Sequence, residues 1–143
     1  VAAWSSDGAR IAVIEDHGGI DQKVMLITVA TGAVHEIPRA RATRYQALRW
    51  VPSGELWAIT DAPDADFLQL CRIDEATGAA TPLFAPLFRE VEAWSLSPGG
   101  ALLATIENDR GYATLRVGAP GTNRPAITGL PDLKDNILPI GVL

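Results

Sequence analysis

The sequence predicts an all-β fold built from three copies of one four-stranded antiparallel unit. Two observations carry that prediction. A shift of 46 residues superimposes the chain on itself, with Gly8, Gly54 and Gly100 in one column, Trp4, Trp50 and Leu96 in another, and Thr31-Gly32 over Thr77-Gly78. Ala12, Ala58 and Ala104, and Ile11, Trp57 and Leu103, align at the same offset. In addition, every helical window is interrupted by proline, glycine or β-branched residues, so the periodicity of a helix is nowhere sustained.

One unit shows how the strands arise. Residues 1–5 are short, apolar and β-compatible, and Ser6-Asp7-Gly8 follows as a tight turn. Glycine supplies the positive φ that such a hairpin needs. Residues 10–14 (RIAVI) are apolar in succession, the signature of a strand buried on both faces, and 56–60 and 102–106 match them. A loop leads to a third strand at 24–29, 67–73 and 112–117. Thr31-Gly32 and Thr77-Gly78 make the next turn, which the third repeat lacks near Gly121, and a short fourth strand follows at 34–37, 80–84 and 125–128.

Four short strands per ~46 residues, stacked so that each unit shelters its neighbours, is the blade of a β-propeller. A β-sandwich would not require turn glycines at a fixed period. The blades are placed at 1–44, 45–90 and 91–134, with 135–143 as the first strand of a further blade. Three blades do not close a ring, so the chain reads as a β-propeller fragment, an excerpt that starts at Val1 rather than at a methionine. Trp4, Trp50, Trp57 and Trp94 are expected between blades as filler.

The motifs carry a resemblance. Trp4-Ser5-Ser6-Asp7-Gly8-Ala9-Arg10-Ile11-Ala12 resembles the WSPDGxxLA signature of propellers in the prolyl oligopeptidase family, acylaminoacyl-peptidase and dipeptidyl-peptidase types included. Ser97-Pro98-Gly99-Gly100-Ala101-Leu102-Leu103-Ala104 is a second copy, and Trp50-Val51-Pro52-Ser53-Gly54 a degenerate one. Phe67-Leu68-Gln69-Leu70 with Asp74-Glu75-Ala76-Thr77-Gly78 is similar to the family's third strand and turn, and Glu107–Tyr112 to the segment before it. TolB-type binding propellers share this style of blade. The resemblance implies a non-catalytic propeller that caps an α/β-hydrolase domain of the same polypeptide and filters peptide substrates by size. The alternative it leaves open is a stand-alone scaffold propeller of TolB type; a carbohydrate-active propeller is a third.

Within the chain no catalytic constellation is legible. Gly-x-Ser-x-Gly is absent, and Ser6 and Ser53 sit beside turn glycines where serine is common. His17 lies in an acidic loop whose spacing matches no metal motif, and His35 falls on an outer strand. No cofactor or metal is expected. Cys71, alone, reads as buried filler and fits a reducing compartment, so the cytoplasm is the expected location. A formal charge of −5 argues against nucleic-acid binding, and the short apolar runs against a membrane span. The partner- or substrate-facing positions are sought on the longer connections, where a rigid scaffold displays variable loops. They are Arg39, Arg41 and Arg44 between blades, and Asp64, Asp66, Glu107, Asn108 and Arg110 within them.

Overall fold

The structure is a computed structural model that describes residues 2–63, 66–84 and 89–122. Three antiparallel meanders follow one another. The first blade comprises β1 (Ala2–Trp4), β2 (Arg10–Asp16), β3 (Gln22–Thr28) and β4 (Val34–Glu36). The second comprises β5 (Tyr45–Trp50), β6 (Leu56–Thr60), β7 (Gln69–Ile73) and β8 (Ala80–Pro82). The third shows β9 (Glu90–Leu96), β10 (Leu103–Asp109) and β11 (Tyr112–Gly118). The strand expected at 125–128 and the one expected at 135–143 lie outside the described residues. No helix long and apolar enough to cross a membrane is present among the described residues.

Burial on both faces is realised where a blade has two neighbours. All of β6 is buried. Its Leu56 and Ala58 point into a core shared with the first blade, together with Ala12, Val24, Leu26 and Tyr45. Trp57 and Ile59 point the other way, into a core shared with the third blade, together with Val91, Trp94 and Leu103. β7 divides likewise, with Cys71 and Ile73 on one side and Leu70 on the other. Of β2, only Ala12 is fully buried, because nothing among the described residues covers its outer side. For the same reason Trp4, expected between blades, is 59% exposed.

The alignment of the second strands needs a correction. Ser5 and Ser97 N–H groups bond the carbonyls of Arg10 and Leu102, whereas the Val51 N–H bonds that of Glu55, so the second blade's first hairpin is one residue shorter. Beyond Gly54 the equivalences therefore move by one. Leu56, not Trp57, stands where Ile11 and Leu103 stand, and Trp57 replaces Ala12 and Ala104. The faces confirm it: Leu56 and Leu103 each point toward the preceding blade, while Ala12 and Trp57 point toward the following one. A one-residue slip exchanges the two faces of a strand, so the distinction decides which core each side chain fills.

The turn glycines earn their column: Gly8, Gly54 and Gly100 have φ of 68°, 84° and 75°. Gly78 carries a second constraint. A Cβ there would lie 1.6 Å from the Pro38 carbonyl oxygen, because the β7–β8 turn packs onto the connection that leaves the first blade. Gly32, at the equivalent turn, has φ of 69° and open space. Gly32→Ala therefore carries only the cost of left-handed backbone, about 1–2 kcal/mol. Gly78→Ala must also push two blades apart and is expected to lose clearly more, measured as the difference in urea unfolding free energy between the two variants.

Candidate functional site

The longer connections form the candidate surface, and ion pairs fasten most of it. The Arg39 guanidinium bonds Asp21 of the β2–β3 loop and lies 4.0 Å from Glu36. That contact holds the Asp21 carboxyl below its ordinary value. Arg41 donates to the Asp61 carbonyl and to that of Ala42. Arg44 grips Asp61 twice, through its backbone N–H at 2.9 Å and its Nε at 3.0 Å. The backbone joins in: Gln22 N–H bonds the Thr43 carbonyl, and Tyr45 N–H bonds Gln22 Oε1 at 2.6 Å. The three arginines thus clamp the connection 37–44 between the β2–β3 loop of one blade and the β6–β7 loop of the next. Arg39, Ala40, Arg41 and Thr43 also line a groove of about 390 Å³ together with Thr77 and Gly78.

Glu107 was expected in a loop, and the structure corrects this. β10 runs through to Asp109 and β11 starts at Tyr112, so only Arg110 and Gly111 connect them. Both have positive φ, 57° and 87°, as a two-residue primed hairpin demands. Glu107 consequently sits within the sheet and is fully buried. Its Oε2 accepts from Arg116 Nε at 2.9 Å and stands 3.8 Å from Arg89 Nε, and its Oε1 accepts from Thr105 Oγ1 at 3.1 Å. Arg89 in turn reaches Asp109 at 3.1 Å. This cluster ties the segment entering β9 to the sheet that follows it.

The remaining candidates are distributed. Asn108 donates to Glu92 at 2.9 Å and accepts the Gly111 N–H, so it caps its own hairpin. Arg110 and Asp66 are exposed. Asp64 lies outside the described residues. Arg89 and Arg116 are participants that the sequence did not single out. Arg116 was findable: once Arg110-Gly111 is taken as a two-residue turn, Arg116 falls opposite Thr105, diagonal to Glu107.

The Cys71 thiol is shielded. Burial pushes the Cys71 thiol up to about 12, which keeps it protonated and unreactive. Among the described residues no group of three or more His, Cys, Asp or Glu side chains converges as a metal would require.

No family model matches the chain, and no curated protein matches it. Solved structures do share its fold. A prolyl endopeptidase superposes with a TM-score of 0.69 at 14% identity, over 90% of this chain and 19% of its own. Puromycin hydrolase gives 0.70 at 22% identity, over 90% and 21%. TolB from Acinetobacter baumannii gives 0.64 at 18% identity, over 90% and 32%. The chain therefore shares the β-propeller fold of these structures, and it spans about a fifth of the two hydrolases and a third of TolB.

Two outcomes follow from the ion pairs. Glu107→Ala removes a fully buried carboxylate from its arginines and is expected to cost about 3–5 kcal/mol in chemical unfolding. Lys23→Ala, at the half-exposed pair with Glu36, should cost under about 1 kcal/mol. As for pH, the Thr77 hydroxyl and backbone hold the Asp74 carboxyl below its ordinary 3.8, and Arg39 does the same for Asp21. Depressed carboxyls contribute stability above the unfolded value that is lost as pH falls through the folded one. Melting temperature should stay level above pH 3.8 on this account and drop below it, with Asp21→Asn flattening part of the drop.

Proposed function

We propose that this chain is part of the non-catalytic β-propeller of a prolyl-oligopeptidase-type serine peptidase, where it caps an α/β-hydrolase domain of the same polypeptide and filters peptide substrates by size. The observation that carries the reading is the shared blade architecture with two hydrolases over 90% of the chain. The hairpin signature supports it. Ser5 Oγ donates to Asp7 at 2.6 Å and accepts the Arg10 N–H at 2.9 Å, and Ser97 Oγ accepts the Leu102 N–H in the same way. These serines lock hairpins, which accounts for their place in the motif.

A size filter must be stiff enough to exclude, and the clamped connection 37–44 has that character. Asp21 and Asp61 hold it from the two flanking loops. Exposed Asp66 and Arg110 then stand as the polar groups available to a facing domain or an entering peptide. The prolyl endopeptidase that shares the fold is one in which inter-domain dynamics bear on catalysis and specificity, and a rigid cap moving as a body would serve that purpose here. The cytoplasm is the compartment we assign to it. The TolB likeness favours a second reading, a binding propeller without enzymatic partner.

Labelling the whole protein that carries this chain with a fluorophosphonate serine probe separates the two. A single modified serine in a Gly-x-Ser-x-Gly peptide outside these 143 residues is the expected result. Absence of labelling, in protein shown to be folded, would leave the binding propeller.

A further inference from the structure

The groove of about 390 Å³ at the seam between the first and second blades is lined by hydrogen-bond donors. Arg39 and Arg41 come from the connection 37–44, Tyr45 from the start of β5, and Thr77 from the β7–β8 turn. No acidic side chain is among its described lining residues, and Ala62 and Ala80 keep the walls short. Both walls belong to consecutive blades, so blades added on either side of the pair would not fill it.

One of these donors has nothing to donate to. Tyr45 is 3% exposed and packs in the core that the two blades share. Its backbone N–H bonds Gln22, but its hydroxyl makes no hydrogen bond among the described residues. The other hydroxyls of the groove are engaged: Thr43 Oγ1 donates to the Arg41 carbonyl at 3.0 Å, and Thr77 Oγ1 to Asp74 at 2.7 Å. Nor is the Tyr45 hydroxyl sealed within the core. Among the described residues, the unpartnered polar side-chain atom that is sealed is Trp50 Nε1. The hydroxyl therefore keeps contact with the groove that its side chain lines. A phenylalanine would fill the same core without an unmet hydrogen bond, so the oxygen has a use outside the fold. Burial lifts its ionisation above the ordinary value, against the pull of Arg39, and it stays a protonated donor.

The neighbouring charges set the class of ligand. Arginine presents a planar fork of N–H donors that matches a carboxylate. In Arg39, Asp21 engages Nη1, and Glu36 stands 4.0 Å from Nε. The charge of Arg39 is thus balanced in part, and that of Asp61 also reaches the Tyr45 hydroxyl. A dianion such as phosphate would be repelled by these carboxylates. A single carboxylate carries half that charge, and one hydroxyl with one edge of the fork satisfies its two oxygens.

We propose that this groove binds a carboxylate, with the Tyr45 hydroxyl donating to one oxygen and the Arg39 guanidinium to the other. The carboxylate is that of a small free acid or of a peptide's C-terminus, which present the same planar acceptor. This inference goes beyond the hydrolase reading and does not rest on it: serine labelling reports the one, and binding without turnover the other.

The test is calorimetric titration of the whole protein that carries this chain with acetate, with N-acetyl-dialanine and with the C-terminal amide of that dipeptide. Both acids are expected to bind, and the amide at least tenfold more weakly than its acid. Tyr45→Phe removes an oxygen that bonds nothing in the fold, so melting temperature should hold or rise while affinity for the acids falls roughly tenfold. Arg39→Lys keeps a cation opposite Asp21 but loses the fork, and should also weaken both acids. A peptide acid that binds more tightly than acetate identifies the C-terminus as the source, and equal affinities a free acid. Failure of both acids to bind, an amide that binds as well as its acid, or a Tyr45→Phe variant with unchanged affinity would each overturn the proposal.

Discussion

A blade of this kind has no wet face in its middle, and the rest of the structure depends on that constraint. β6 is buried at every residue because alternate side chains serve two different cores. A sheet with one solvated face would show a polar residue at every second position. Here the alternation is between partners instead of between core and water. The consequence is that a blade's stability is held largely at its seams. Each seam must be apolar enough to bury, and specific enough to admit only the proper neighbour.

The two inner seams meet that demand with different chemistry. Between the first and second blades the Arg10 guanidinium sits on the Trp50 indole and reaches the Glu75 carboxylate, and at the opposite end of β5 and β6 Arg44 grips Asp61. Between the second and third, Trp57 and Trp94 meet at 5.7 Å with ring planes 44° apart, a tilted contact that aromatic quadrupoles favour. Trp94 Nε1 also donates to the Ala47 carbonyl at 3.0 Å. That bond depends on local irregularity. Ala47 has φ of 48° and lies where the β5–β6 register shifts, so the bulge turns its carbonyl out of the ladder and toward the next blade. A regular β5 would have spent that carbonyl within its own sheet.

The repeat and the strand order were legible because they rest on turn chemistry. Gly8, Gly54 and Gly100 mark hairpins for a backbone reason that composition alone displays. Strand identities followed, including 56–60 without error. What was illegible depended on single-residue register. The hairpin at Pro52–Gly54 lacks one residue, and a fixed offset of 46 then assigns Trp57 to the wrong face. The Arg110-Gly111 hairpin is shorter than the loop inferred for it, and this alone moved Glu107 from surface to interior. Charged side chains in the candidate surface were readable as positions, while their partners, Arg39 with Asp21 and Arg44 with Asp61, join segments 17 or more residues apart. No local pattern encodes such pairs.

Varying the seams has a physical use. If every seam in a propeller were the same, any blade face would accept any other, and a ring of repeats would be open to misregistered closure and domain exchange. A charged latch at one seam and a tilted pair of tryptophans at the next make wrong pairings costly. Setting Arg10 against Val29 would strand a guanidinium beside an aliphatic side chain, and setting Leu102 against Glu75 would leave a carboxylate without its cation. The pair of Arg10 with Glu75 satisfies itself and rejects a neighbour that brings an aliphatic side chain to either position. Blade order is thus written in the side chains at the seams, while the shared tryptophan and the turn glycines preserve the common frame on which that order is laid.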